Sequence, residues 1–237
     1  MGVAIILLIL IMLIILIYVI YYMLASAQTL SDLNTQQPEI VFDKIVNPNS
    51  IRYTYSMWLY VNVWPSGQTA IFSAQTASDA IKYTRLYLTA GIPELKCDIY
   101  VTGTPSTSGG ATSIGPSTTK TVSITTNFPM QRWVYIVISM DGTVIDCYLD
   151  GKLVRSMDLG TATDVAKVGT GVDEYTITFG KFDAFMTSFK RIDGATDPQT
   201  AWTQYLAGNG HESKINSSYG FKFSVNRDKD IIASYQY

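Results

Sequence analysis

Between Trp133 and Leu159 the sequence holds two Asp-Gly pairs, each set between runs of alternating side chains. Trp133–Ser139 is almost wholly apolar. Asp141-Gly142 then breaks the run, and Thr143–Leu149 alternates, with Ile145, Cys147 and Leu149 against Asp146 and Tyr148. Asp150-Gly151 breaks the chain again before Lys152–Leu159. Asp-Gly is the pair that enters a two-residue hairpin turn most readily, because such turns need positive φ. Two of them predict an antiparallel three-stranded meander, and a meander buries its apolar face only against a second layer.

The surrounding pattern extends the same reading. In Tyr53–Trp64, Tyr53, Tyr55, Met57, Leu59, Val61 and Val63 share one face, and Trp58, Tyr60 and Trp64 share the other. Shorter strands are expected at Ala70–Gln75, Thr84–Thr89, Leu95–Val101, Val122–Thr126, Thr176–Gly180 and Phe182–Lys190. Asp197-Pro198 opens a helix that carries Ala201, Trp202, Tyr205 and Leu206, and Gly208 closes it. Tyr219, Phe221, Phe223 and Val225 alternate as a last strand. Thr102–Lys120 is nearly all Gly, Ser, Thr and Pro and reads as a long surface loop. Cys97 and Cys147 fall on apolar strand faces, which predicts two buried thiols, with a disulfide between facing strands as the alternative.

A different solvent governs the N-terminus. Val3 to Leu24 has no charge, Pro or Gly. As a helix it would span roughly 33 Å, enough for a hydrocarbon core of about 30 Å. Its many isoleucines favour a strand in water, but a lone strand in lipid leaves its backbone unpaired, so a helix is expected. Tyr18, Tyr21 and Tyr22 would form an interfacial aromatic belt. A cleaved leader fits poorly, since the run outgrows the usual apolar core and no positive charge precedes it. The expected organisation is an anchor at 1–27, a stalk at 28–50 with a short strand at Glu39–Phe42, a β domain at 51–208 and a C-terminal strand and tail at 209–237.

The β domain resembles a known family. Trp133–Ser139 with Val144–Val154 is similar to the core of concanavalin A-like, laminin-G-like jelly rolls. Tyr53–Trp64, through Ser56 and Trp58, resembles that family's opening strand. Phe182–Ile192 with Pro198–Gly208 resembles its closing strand and short helix. The resemblance implies a two-sheet antiparallel jelly-roll sandwich behind a single transmembrane α-helix. The Tyr- and Thr-rich composition and the stretch Tyr205–Gly210 also resemble structural proteins of large icosahedral DNA viruses with an internal membrane. That likeness implies a minor capsid protein of the virion, tethering the shell to a membrane through other capsid proteins and lipid.

Catalytic chemistry finds little to build on. Glucanases of the family need two carboxylates about 5–5.5 Å apart, supplied by closely spaced acidic residues. The only glutamates here are Glu39, Glu94, Glu174 and Glu212, none near another. Asp173 and Glu174 are adjacent, so on a strand they would face opposite ways. His211 is the single histidine and lies in a polar stretch. No enzyme activity is expected. A net charge of −2 gives no basic footprint for nucleic acid. Glycan binding is the alternative function, with Trp58, Trp64 and Trp202 as candidate platforms and Asp79 or Asp183 beside them. No cofactor is expected, and calcium would lack a dense oxygen-rich loop. Candidate partner contacts are the segment from Thr102 to Lys120 and the strand through Phe221, Phe223 and Val225. Asn216 begins a formal glycosylation sequon.

Overall fold

The computed structural model describes residues 10–18, 30–76, 81–101, 105–108, 111–114, 118–160, 175–209, 222–227 and 230–236. The chain divides into two compact units, Gln28–Asn209 and a second that joins Met1–Ala27 with Gly210–Tyr237. Helix α1 (residues 10–18) belongs to the second.

The larger unit is an antiparallel sandwich. Its six-stranded sheet runs β1 (Leu30–Asp32), β13 (Ala184–Asp193), β2 (Arg52–Val61), β9 (Trp133–Asp141), β10 (Val144–Leu149) and β11 (Lys152–Asp158), in that order. The five-stranded sheet runs β12 (Tyr175–Phe179), β3 (Thr69–Thr76), β4 (Lys82–Leu88), β5 (Leu95–Val101) and β8 (Thr118–Thr125). The expected meander is β9–β10–β11. Asp150-Gly151 closes its second hairpin as expected, whereas Gly142-Thr143 closes the first, because Asp141 still pairs with Val144 as the last residue of β9. Gly142 and Gly151 take the positive φ values of 64° and 74° that such turns require.

Alternation dictates the core. Tyr53, Tyr55, Met57, Leu59 and Val61 point inward from β2 and meet Leu86, Cys97, Ile99 and Val122 of the facing sheet. The opposite face of β2 is covered as well. Trp58 packs with Tyr135, Val137 and Tyr148 beneath Ala201 and Tyr205 of helix α2 (Pro198–Leu206). Asp197 caps α2 by accepting a hydrogen bond from the Thr200 amide at 2.9 Å, and Gly208 follows the helix with φ of 76°. Cys97 and Cys147 are both free thiols in the core.

Three expectations need correction. Residues 28–50 are no detached stalk from residue 30 onward. Leu30–Asp32 is the edge strand β1 on β13, Leu33 is fully buried, and Ile40 pairs with Ile177. The expected strand at Glu39–Phe42 is only that single bridge, followed by a 3-10 turn at Phe42–Lys44. Arg191 holds the next stretch in place, donating to the carbonyls of Val46 at 2.6 Å and Asn47 at 3.3 Å. Polar neighbours hid this because the apolar anchors Leu33, Ile40 and Ile45 are widely spaced and follow no strand or helix period, while backbone makes the pairing. The loop expected at Thr102–Lys120 contains a hairpin, β6 (Pro105–Ser108) with β7 (Ala111–Ile114), and its last residues already belong to β8. Ser and Thr serve a strand as well as a loop, so composition misled there.

The second unit has two described pieces. One is α1, where every side chain from Leu10 to Tyr18 is exposed. Among the described residues no helix is long and apolar enough to cross a membrane. Val3, Leu24, Tyr21 and Tyr22 lie outside the described residues. The other piece contains the last strand expected from the sequence, β14 (Lys222–Arg227). It pairs with β15 (Asp230–Gln236), a strand that no pattern in the sequence announces.

Candidate functional site

The edges of the two sheets approach each other where β1 and β13 meet β12. There the chain crosses from one sheet to the other. Leu33 donates its amide to the Ala184 carbonyl at 2.9 Å, and Ile40 exchanges hydrogen bonds with Ile177 at 3.0 and 2.9 Å. Between these points the Gln37 side-chain nitrogen donates to the Asp32 carbonyl at 2.7 Å, which ties down the crossing strap.

A bulge in β13 shapes the wall beneath the strap. Thr187 pairs with Trp58 and Lys190 with Ser56, so Ser188 and Phe189 together oppose Met57. Ser188 sits at φ of 55°, a backbone region that a residue with a β-carbon rarely adopts. The bulge directs Phe189 inward, 6.1 Å from Tyr55, 5.4 Å from Phe72 and 4.9 Å from Phe179, ring centre to ring centre.

A cleft of about 230 Å³ results. Pro38, Ile40, Phe179, Met186 and Phe189 give it apolar walls. Ser31, Gln37, Thr187 and Ser188 give it hydroxyls and an amide. Phe179 and Phe189 are only half-buried, so a ligand seated there would cover aromatic surface. None of the nine lining residues is charged. Apolar walls with a few fixed polar groups are the usual make-up of a small-molecule site.

The residues singled out from sequence lie elsewhere. Trp58 is only 7% exposed and stacks on Tyr205, so it offers no ring face to a ligand; the helix covers it. Trp64 donates its indole N–H to the Thr89 carbonyl at 2.9 Å and packs near Phe128. Trp202 keeps 37% of its surface but leans on Tyr205 and the Gly151 turn. Asp183 accepts hydrogen bonds from the side-chain amides of Asn34 and Asn62, both at 3.2 Å, and so braces two neighbouring turns. Lys120 is in β8, where its ammonium donates to the Leu159 carbonyl. Phe223 and Val225 are in β14, opposite Tyr235 and Ala233, so that strand already has a partner. Asp79, Thr102, Asp173, Glu174, His211, Asn216 and Phe221 lie outside the described residues.

One other polar surface is already engaged with itself. On the outer face of the five-stranded sheet, Asp98 accepts from the Tyr87 hydroxyl at 3.2 Å and the Thr121 hydroxyl at 2.6 Å. Burial, reinforced by Asp98, pushes the Tyr87 phenol up to about 12. Among the described residues, no three His, Cys, Asp or Glu side chains gather as a cation site.

Two antiparallel sheets enclosing one core, with helix α2 laid on the outside of one, fit a jelly-roll sandwich. A laminin-G-type family model, described as the concanavalin A-like lectin/glucanases superfamily, matches residues 34–172, and the chain belongs to that superfamily. Similar solved structures include the ligand-binding domain of botulinum neurotoxin serotype D in complex with N-acetylneuraminic acid. Identity there is 9% and the TM-score 0.50, with 76% of this chain and 46% of that chain covered. A heptameric SAP-like pentraxin from Limulus polyphemus is 15% identical, with a TM-score of 0.48 and coverage of 74% and 80%. Trypanosoma rangeli sialidase is 13% identical, with a TM-score of 0.44 and coverage of 66% and 22%. This chain therefore matches less than half of the toxin domain and a still smaller share of the sialidase. No curated protein sequence matches it.

Proposed function

We propose that the protein is a non-enzymatic carbohydrate-binding module carried on a membrane anchor. The observation that carries the binding half is the cleft at the sheet edges: two half-exposed phenylalanines beside uncharged hydrogen-bonding groups, on a sandwich of a lectin superfamily. Sugars present a C–H face and a rim of hydroxyls, and such a lining matches both. A glycan array probed with the full chain in detergent micelles tests this. A reproducible sugar-specific signal supports the reading, and a blank array removes it.

The anchor half rests on Val3–Leu24, an uncharged run whose described part, residues 10–18, is helical with apolar side chains exposed. Alkaline carbonate extraction of membranes from expressing cells tests it. The full chain should stay with the lipid, and a chain starting at Gln28 should be released. A capsid-to-membrane tether, the other expectation from the sequence, draws no support from the family or from the similar structures.

A further inference from the structure

We propose that the cleft takes one uncharged sugar residue at the end of a glycan and discriminates against acidic sugars. This rests on the carbohydrate-binding reading and narrows it. Size sets the first restriction. A space of about 230 Å³ is smaller than the roughly 300–1,000 Å³ of sites that enclose drug-sized ligands, so one ring fits and a chain of rings does not.

Charge sets the second. No lining side chain carries a positive charge to pair with a carboxylate, and an ionised group moved beside Phe179, Phe189 and Ile40 would give up much of its water for neutral hydrogen bonds alone. The strap adds acidic neighbours, since Asp32 follows Ser31 and Glu39 precedes Ile40. Lys190 is the nearest basic residue along β13. It follows Phe189, so strand alternation sends it to the opposite face of the sheet, while Arg191, back on the Phe189 face, is engaged by the Val46 and Asn47 carbonyls.

Preorganisation sets the third. The Gln37 amide is held by the Asp32 and Thr35 carbonyls, and the Ser188 bulge fixes the inward course of Phe189 before any ligand arrives. A ring can then lie against phenylalanine while its hydroxyls meet Ser31, Gln37 and Ser188, with the Gln37 amide and the Phe189 backbone already set.

Calorimetric titration of the full chain in detergent micelles tests the inference. The probes are methyl glycosides of neutral hexoses, 6-deoxyhexoses and N-acetylhexosamines, set against N-acetylneuraminic and glucuronic acids. The expected result is at least about tenfold tighter binding of a neutral glycoside, unchanged between low and high salt. Ser31→Trp, which fills the cleft, should weaken binding at least about tenfold with the melting temperature preserved. Gln37→Ala serves as a second variant should the larger side chain disturb β1. Binding of acidic sugars alone would overturn the inference while leaving the carbohydrate reading intact. Neutral-sugar binding indifferent to both substitutions would overturn the assignment to this cleft. No binding of any sugar would overturn both.

Discussion

The backbone of Gly151 lies against Trp202 so closely that a β-carbon on the glycine would sit 2.9 Å from the indole Cε3 and 3.0 Å from the Trp202 Cα. One residue thus does two things. It closes the second hairpin of the meander at φ of 74°, and it makes room for the helix that roofs Trp58.

Gly151→Ala should therefore destabilise the domain by about 2–4 kcal/mol, adding backbone strain to overpacking. Gly142→Ala is the control. Its φ of 64° carries similar strain, but nothing lies within 4 Å of the place a β-carbon would take, so roughly 1 kcal/mol is expected. Urea unfolding of both variants measures the difference, which reports the closeness of α2 to the turn. Equal losses would show that the helix yields.

Ser188→Gly should leave the domain as stable or stabilise it by up to about 1 kcal/mol, because glycine relieves the positive φ at the bulge. A thermal melt reads this directly. A clear loss of stability would mean that the Ser188 side chain makes a contact worth more than the strain.

The buried thiols and phenols predict an alkaline limit. Burial raises Cys147 to about 12 and Cys97 well above its ordinary value, and it raises Tyr53 and Tyr55 as well. In the unfolded chain the thiols ionise near about 8.5 and the phenols near about 10. Their neutral burial therefore contributes full stability below about 8.5, and that contribution drains away as pH climbs towards 12. Denaturant midpoints should fall steadily over that range. Neither thiol should react with a thiol-specific reagent near neutral pH until the domain unfolds.

At the acid end, the Thr200 hydroxyl and then its backbone amide hold the Asp197 carboxyl below its ordinary value. A depressed carboxyl stabilises the fold above its unfolded value and stops doing so as pH falls through the folded one. Asp197→Asn keeps a cap but no titrating group, so its stability should change less between neutral pH and acid than that of the parent chain. Unfolding midpoints at several acid pH values decide it, and parallel curves would refute the capping role.

How far these features are legible in sequence differs between strand and site. The Asp150-Gly151 turn, the alternation over Tyr53–Val61 and the Asp197-Pro198 helix start are local signals, and each becomes the expected element, although the strand stops at Val61, so that Val63 is exposed and Trp64 packs on the core side. The cleft is not legible. Its walls come from Ser31, Gln37, Phe179 and Phe189, two pairs separated by more than a hundred residues that carry no motif. The Ser188 bulge leaves no trace either, since serine is an ordinary strand or turn residue and only its φ reveals the kink. The tryptophans suggest sugar platforms, yet Trp58 is roofed by a helix some hundred and forty residues further along the chain.

By itself the sequence determined an antiparallel β domain, because turn chemistry and side-chain alternation act over a few residues and need no partner. Tertiary structure alone decided that residues 30–45 join the sandwich, that α2 settles on Gly151, and that the two sheet edges leave a cleft between them. Those outcomes depend on which distant surfaces come within contact range. Alternation says which face a side chain takes, but only the packed sheets say what it meets there.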